Sequence, residues 1–258
     1  MVDFDAGPPK AVANHLAAVP SYAPHRELFW YDWGPVFYRG RLNRSARLLC
    51  IASDPGPTER IACRTLVGDA GQRVQGFLTK LGLTNSYVLV NAFAYALLPS
   101  KAQKAKPILT EHDHLVWRNT LLDKITGPNL QAVVGFGAQA QAAVGLWDNA
   151  PAVPIVKVPH PSSRDAAKLL TQWKAAITQL RAVVTPDAEG HNDGPNYGTK
   201  FKESDYTRIP PADLPFGLPA WFGDDAWGRT DTPKHNNSVE RPSADLLHTL
   251  IWRSPKDT

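Results

Sequence analysis

Four short apolar runs, separated by stretches of helical periodicity, limit what this chain can fold into. They are residues 47–52 (RLLCIA), 87–90 (YVLV), 131–135 (QAVVG) and 154–158 (PIVKV). Runs of this length without polar alternation read as strands buried on both faces. Between and after them, residues 71–81, 111–125, 138–146 and 165–184 carry apolar side chains at three- and four-residue spacing, which predicts helices. Strand–helix alternation implies a parallel sheet with helices on both sides. The expected class is therefore α/β, a three-layer α/β/α arrangement around a central four-stranded parallel sheet. With 258 residues, 43% of them hydrophobic, the chain is long enough to bury such a core.

The flanks read differently. Residues 10–19 predict a helix, followed by an aromatic cluster of Phe29, Trp30, Tyr31, Trp33, Phe37 and Tyr38, and then by Arg39, Arg41, Arg44 and Arg47. Aromatics interleaved with arginines can bind nucleic acid, but a packed cap with a solvated basic edge is the reading preferred here. From Pro186 onward the composition shifts, with 9 of the 23 prolines in 73 residues and little periodicity until residues 244–252. Tyr197, Phe201, Tyr206, Phe216, Trp221, Phe222 and Trp227 are too many rings for a solvated linker, so an irregular extension draped on the domain is expected. The expected division is a domain over 1–185, including a cap over 1–45, and an extension over 186–258.

Charge is unevenly spread. Residues 1–185 carry 20 Lys/Arg against 12 Asp/Glu, +8, and residues 186–258 carry 8 against 12, −4, giving the overall +4. A basic body with an acidic tail suggests a polyanionic partner. The two cysteines, Cys50 in an apolar run and Cys63 in a basic stretch, cannot make a disulfide framework or by themselves a four-cysteine metal or iron–sulfur site. A reducing, cytoplasmic compartment is expected. No apolar run approaches the roughly 18 residues of a membrane span, and the acidic, polar start MVDFDAGPPK is unlike a signal peptide.

Ligands of parallel α/β sheets bind at the carboxyl ends of the strands. The first strand runs into Ser53, Asp54, Pro55, Gly56, Pro57, Thr58 and Glu59; the second into Asn91, Ala92 and Phe93; the fourth into Pro159, His160, Pro161, Ser162, Ser163 and Arg164. A carboxylate, an amide and an imidazole thus arrive on separate strand ends. Each alone has a plain explanation as a turn former, a strand-end cap or a loop residue, and jointly they make a candidate site.

The same segments carry a resemblance. SDPGPTE at 53–59, TLVGDAGQ at 65–72, LVN at 89–91, VVGFGAQ at 133–139 and HPS at 160–162 together resemble the uracil-DNA glycosylase superfamily over about residues 46–182. Residues 53–72 are similar to the family-four enzymes, whereas Asp54 stands where the family-one enzymes carry an aspartate. The resemblance implies that Asp54 positions or polarises the attacking water and that His160 stabilises charge on the departing uracil O2. It implies that Asn91 reads the base, with Ser53, Gly56 and Leu66 around it. Ser162, Ser163 and backbone N–H groups ahead of the last helix would hold a DNA phosphate, and Arg164 falls at the wedge that fills the vacated base stack. Leu97, Leu98, Pro99, Ser100 and Lys101, with the loop through Gly137, resemble more weakly the loops that press on the DNA backbone. Lys104 and Lys106 add charge nearby.

This chain also departs from the pattern. Leu66 replaces the phenylalanine that stacks on uracil, so the platform is either aliphatic or another ring such as Phe93. Gly56 replaces the tyrosine that blocks the thymine methyl, which leaves thymine exclusion unassigned. Tyr95 stands where family-four enzymes carry a cluster cysteine, so no iron–sulfur cluster and no other cofactor is expected. The implied partners are uracil-containing and abasic-site DNA, with uracil as product and tight product binding, for a monomer away from membranes.

Three other readings compete. Gly135, Gly137 and Ala140 fit a dinucleotide fingerprint, but the next strand end, 157–160, has no acid for a ribose hydroxyl. A lesion-binding protein of the same superfamily with weak turnover is the stronger alternative. A metal-dependent phosphatase or nuclease would need clustered ligands. His112 and His114 around Asp113 are the only local group, and helical positions two apart point to different sides, so a helical face without metal is expected.

Overall fold

The computed structural model describes residues 4–218, 222, 239–240 and 251–252. Its centre is a five-stranded sheet in the order β1-β3-β2-β4-β5, formed by β1 (Tyr38–Gly40), β2 (Leu48–Ala52), β3 (Tyr87–Asn91), β4 (Ala132–Phe136) and β5 (Ile155–Val158). The four strands expected from the apolar runs are present and mutually parallel. The fifth, β1, is a three-residue strand antiparallel to β3 with Arg39 opposite Leu89, and it was hidden in the aromatic and arginine-rich stretch. The expectation that every run is buried on both faces fails at β5, an edge strand whose Ile155 and Lys157 are exposed while Val156 and Val158 are buried.

Side-chain alternation along the strands builds two cores. Leu48, Cys50 and Ala52 of β2 face the layer of α3 (Asp69–Lys80) and α7 (Ala166–Arg181), where Val74, Phe77, Leu169, Trp173 and Ile177 are buried. Leu49 and Ile51 face the other way, against α1 (Lys10–Ala17), α5 (His112–Ile125) and α6 (Ala138–Gly145). The result is the expected three-layer arrangement. Cys50 lies wholly within the first core, where burial pushes its thiol up to about 12, and the exposed Cys63 ends the short helix α2 (Pro57–Ala62).

The aromatic cluster packs. Phe29, Trp30, Trp33 and Tyr38 are buried, with Trp30 and Trp33 stacked 4.8 Å apart. The basic edge is solvated only in part, with Arg44 exposed and Arg41 and Arg47 half-buried. Arg39 is fully buried, Arg44 Nε donates to the Thr126 carbonyl (2.7 Å), and Arg47 donates to the carbonyls of Thr185 and Pro186. These guanidiniums hold backbone carbonyls and the chain beyond residue 185.

That later chain is irregular and partly built into the core. Tyr197 is buried against Trp173, Arg73 lies 4.8 Å over the Phe201 ring, and Lys80 pairs with Asp205 at 2.9 Å. Ile209, Leu214 and Phe222 pack on Ala62 and Val67, whereas Phe216 is exposed. Two further strands, β6 (Val239–Glu240) and β7 (Ile251–Trp252), pair antiparallel. Trp221, Trp227 and the periodic residues 244–250 lie outside the described residues.

Candidate functional site

Three of four neighbouring strands deliver polar residues to one end of the sheet. Asn91 ends β3 opposite Ala52, which ends β2. The pairing continues beyond the strands, with Ala92 N–H donating to the Ala52 carbonyl (2.9 Å) and Phe93 N–H to the Ser53 carbonyl (3.0 Å). Asp54 and Asn91 therefore leave the sheet side by side. Next along, β4 exits into Gly137 and β5 into His160, each strand about 4.8 Å from its neighbour.

Asp54 is half-buried, and its Oδ2 accepts the Leu97 N–H at 2.9 Å. Leu97 is itself anchored by a β-bridge to Phe29, and Leu98 N–H donates to the Leu28 carbonyl (2.9 Å). The packed aromatic cap thus sets the carboxylate's orientation.

Asn91 is buried, and its Nδ2 donates to Thr65 Oγ1 at 3.3 Å while its Oδ1 is buried with no partner. Thr65 is wholly buried and fixed by β1, its N–H donating to the Tyr38 carbonyl and its own carbonyl accepting from Arg39 Nε. An unpaired buried carbonyl costs about 1–3 kcal/mol, which a ligand N–H would recover. The second Nδ2 hydrogen is a further donor on the same amide.

Glu59 organises the neighbouring loops from α2. Its Oε2 accepts the Gly56 N–H (2.9 Å) and its Oε1 accepts the N–H groups of Val67 (2.8 Å) and Gly68 (2.9 Å). One buried carboxylate ties the half-buried Ser53 and Gly56 loop to Leu66, which is buried and left-handed at φ 54°. The Leu66 carbonyl abuts Gly71, where any Cβ would collide with it. A Cβ on Gly56 would lie 2.6 Å from Glu59 Oε2, so a side chain here would have to displace the carboxylate that holds these loops. Phe93, the other ring that the sequence offered, is fully buried in the cap cluster, 5.7 Å from Phe29, and Leu66 is buried on the α3 side of the sheet.

His160 is half-buried and its loop is pinned from two helices. Arg73 of α3 donates to the Pro161 carbonyl and Trp173 of α7 to that of Pro159, each at 3.0 Å. His160 Nδ1 accepts the Ser162 N–H at 3.2 Å, so a neutral ring carries its proton on Nε2. Gly137, with φ 86°, allows the close approach, since a Cβ there would stand 3.0 Å from His160 Cβ. This glycine, part of the dinucleotide-like pattern, serves the histidine loop.

Pro99 and Ser100 are exposed, Ser100 at φ 63°, and Lys101 is half-exposed. Gln139 Nε2 donates to the carbonyl of Ala102 (2.8 Å), which opens the short helix α4 (Ala102–Ala105), and so joins this loop to the one through Gly137. Ser162 and Arg164 are exposed and Ser163 is half-buried. The N-terminus of α7, expected to receive phosphate, is capped by Asp165, whose Oδ1 accepts the Lys168 N–H at 2.9 Å. That carboxylate disfavours an anion on the helix end, so the turn of Ser162 to Arg164 ahead of it is the better-placed donor group.

Thr65, Glu59 and Gln139 lie within the motifs at 53–59, 65–72 and 133–139 but were given no role of their own in the sequence; for Glu59, its place three residues after Gly56 has the spacing of a helix N-terminal capping pattern. A family model described as Uracil DNA glycosylase superfamily matches residues 39–181, more than half of the chain. Comparison with curated proteins finds no match.

Proposed function

The chain belongs to the uracil DNA glycosylase superfamily, and from that membership we propose that it removes uracil from DNA by hydrolysing the N-glycosidic bond, leaving an abasic site. Membership supports a DNA-glycosylase type of hydrolase in general. The observation that carries the finer assignment to uracil is Asn91, a buried amide anchored through Nδ2 with its Oδ1 unpaired. That oxygen accepts uracil N3–H while the second Nδ2 hydrogen donates to O4. Cytosine presents the opposite pattern at both atoms and leaves both buried groups unsatisfied.

In this proposal uracil is flipped out of the stack and lies over Leu66. The C1′–N1 bond breaks, its electron pair leaving with uracil and positive charge developing on the sugar. Asp54, held by the Leu97 N–H, faces that charge and orients the water whose oxygen bonds to C1′, and the proton that this water gives up passes by way of the carboxylate to the uracil anion. His160 donates from Nε2 toward uracil O2 and stabilises the departing anion. Neither role needs a metal or cofactor. Ser162, Ser163, Arg164, Pro99, Ser100 and Lys101 contact the strand around the lesion, and Arg164 enters the vacated stack. Product release limits turnover, because a site built to hold an extrahelical nucleotide also holds the abasic product.

The test is excision from a single-stranded oligonucleotide bearing one uracil, read as alkali-labile cleavage, beside a thymine control. Uracil-specific cleavage lost in Asp54→Asn and His160→Ala is expected, with a burst of one equivalent before a slow phase. Binding to uracil or abasic DNA without any cleavage would favour the lesion-binding alternative, and linear kinetics from the first turnover would refute slow product release.

A further inference from the structure

Outside the strand-end site, three side chains meet at a cleft of about 860 Å³ lined by the segment before His25 and the start of α5. His25 belongs to the 3₁₀ segment Ala23–Leu28, and Glu111 and His114 lie at the first turn of α5. One potential ligand atom from each lies within 4.8 Å of the others, and His25 Nε2 is 2.9 Å from Glu111 Oε2. Helical positions three apart share a face, whereas positions two apart do not. The sequence was therefore right that His112 and His114 point apart, but Glu111 is the partner of His114, and the third group arrives from the cap.

We propose that His25, Glu111 and His114, with a water as fourth ligand, bind one divalent transition-metal ion, best matched by zinc, which fastens the N-terminal cap to α5. Two imidazoles and a carboxylate suit zinc and its late first-row neighbours, whereas magnesium and calcium prefer all-oxygen sets. Tetrahedral zinc with bonds of ~2.0–2.1 Å holds ligand atoms about 3.3 Å apart. The His25–Glu111 pair is already close to that spacing, and the widest separation need close by no more than about 1.5 Å, within reach of side-chain rotation. His114 is buried, with its ring edge-on to Tyr22 at 4.6 Å, and Tyr22 is itself held by the Ala94 N–H. His25 and Glu111 stay partly exposed toward the cleft, which gives a hydrated ion its entry path.

The metal supplies what the residues alone do not. A partly exposed histidine–carboxylate contact holds two elements weakly. The segment it anchors continues into Leu28 and Phe29, which pair with Leu98 and Leu97. Fastening His25 therefore braces the backbone whose Leu97 N–H orients Asp54.

The full chain, stripped with a chelator, is titrated with Zn²⁺ by calorimetry and with Co²⁺ by visible absorption. One equivalent should bind, Co²⁺ should give the intense bands of a four-coordinate site, and the melting temperature should rise by about 5–10 °C at a hundredfold excess of Zn²⁺ over its dissociation constant. His25→Ala and Glu111→Gln should lose the binding and His112→Ala, in the same cleft, should keep it. The near-isosteric Glu111→Gln decides the matter if His25→Ala does not fold. No saturable binding by the wild type, binding that survives Glu111→Gln, or binding lost in His112→Ala would overturn the site.

Discussion

Asp213 Oδ2 lies 3.1 Å from Arg39 Nη1, and neither side chain meets solvent. The same carboxylate accepts the Tyr87 hydroxyl at 2.8 Å and pairs with Arg41, while Arg39 also donates to Gln75 and to the Thr65 carbonyl. A residue of the C-terminal extension thus closes a polar network on β1, next to the threonine that anchors Asn91.

Removing one member of such a pair strands a buried charge, at a cost of about 3–5 kcal/mol. Asp213→Ala should lose stability of that order in urea unfolding. Truncation at Pro186 should do more damage, because it also removes Tyr197 and Ile209 from their cores. A truncated chain as stable as the full one would mean that the extension only decorates the domain.

Thr65→Val keeps the shape of a buried side chain and deletes the acceptor of the Asn91 Nδ2 hydrogen. Losing one hydrogen bond of about 1–1.5 kcal/mol corresponds to roughly a tenfold fall in kcat/KM for uracil excision. Asn91→Ala should cost about 10²-fold or more, since it removes both contacts proposed to the base. Equal rates for Thr65→Val and wild type would mean that Asn91 is held without its threonine.

The fold was legible where burial is repetitive. β2, β3 and β4 are short continuous apolar runs because both faces are covered; the ends of β2 and β3 pointed to Asp54 and Asn91, and the end of β5 to His160. β1 was not legible, because three residues within an arginine-rich stretch carry no periodicity and Arg39 is buried only through a partner 174 residues away. The solvent face of β5 was missed because Ile155 is apolar yet exposed at the sheet edge. The inward turn of Phe93 depends on how the cap folds over the strand exit, and Thr65 and Glu59 act through loop contacts with no local pattern at the residues they hold. Asp165 had a recognisable capping role, which competes with the phosphate role given to its helix.

Asp187 gathers three backbone N–H groups, from Thr84, Asn85 and Ser86, at 2.8–3.0 Å, and pairs with Arg47 at 3.3 Å. Burial by itself pushes its pKa up, but the hydrogen bonds from Ser86, Asn85 and Thr84 prevail and hold the carboxyl below its ordinary value. A depressed folded-state pKa contributes stability that is complete above the unfolded value, about 4, and is lost as pH falls through the folded one. Asp187→Asn should therefore be less stable than wild type by a constant amount above about pH 5, and the gap should narrow below about pH 4. Urea unfolding across that range checks it, and a gap that widens toward acid would contradict the assignment.

Gly137 makes the last expected effect separable from fold loss. Its φ of 86° disfavours any L side chain, and a Cβ there would press on His160 Cβ at 3.0 Å. Gly137→Ala should cost about 1–2 kcal/mol for the backbone alone. It should also displace the imidazole, whose donor geometry matters within fractions of an ångström, so excision should fall about 10²-fold. Gly145→Ala is the control, because a Cβ there meets nothing within 4 Å and the residue lies in α6. A Gly137→Ala protein that loses stability but keeps its single-turnover rate would show that the His160 loop yields to the added methyl, and that His160 needs no glycine beside it.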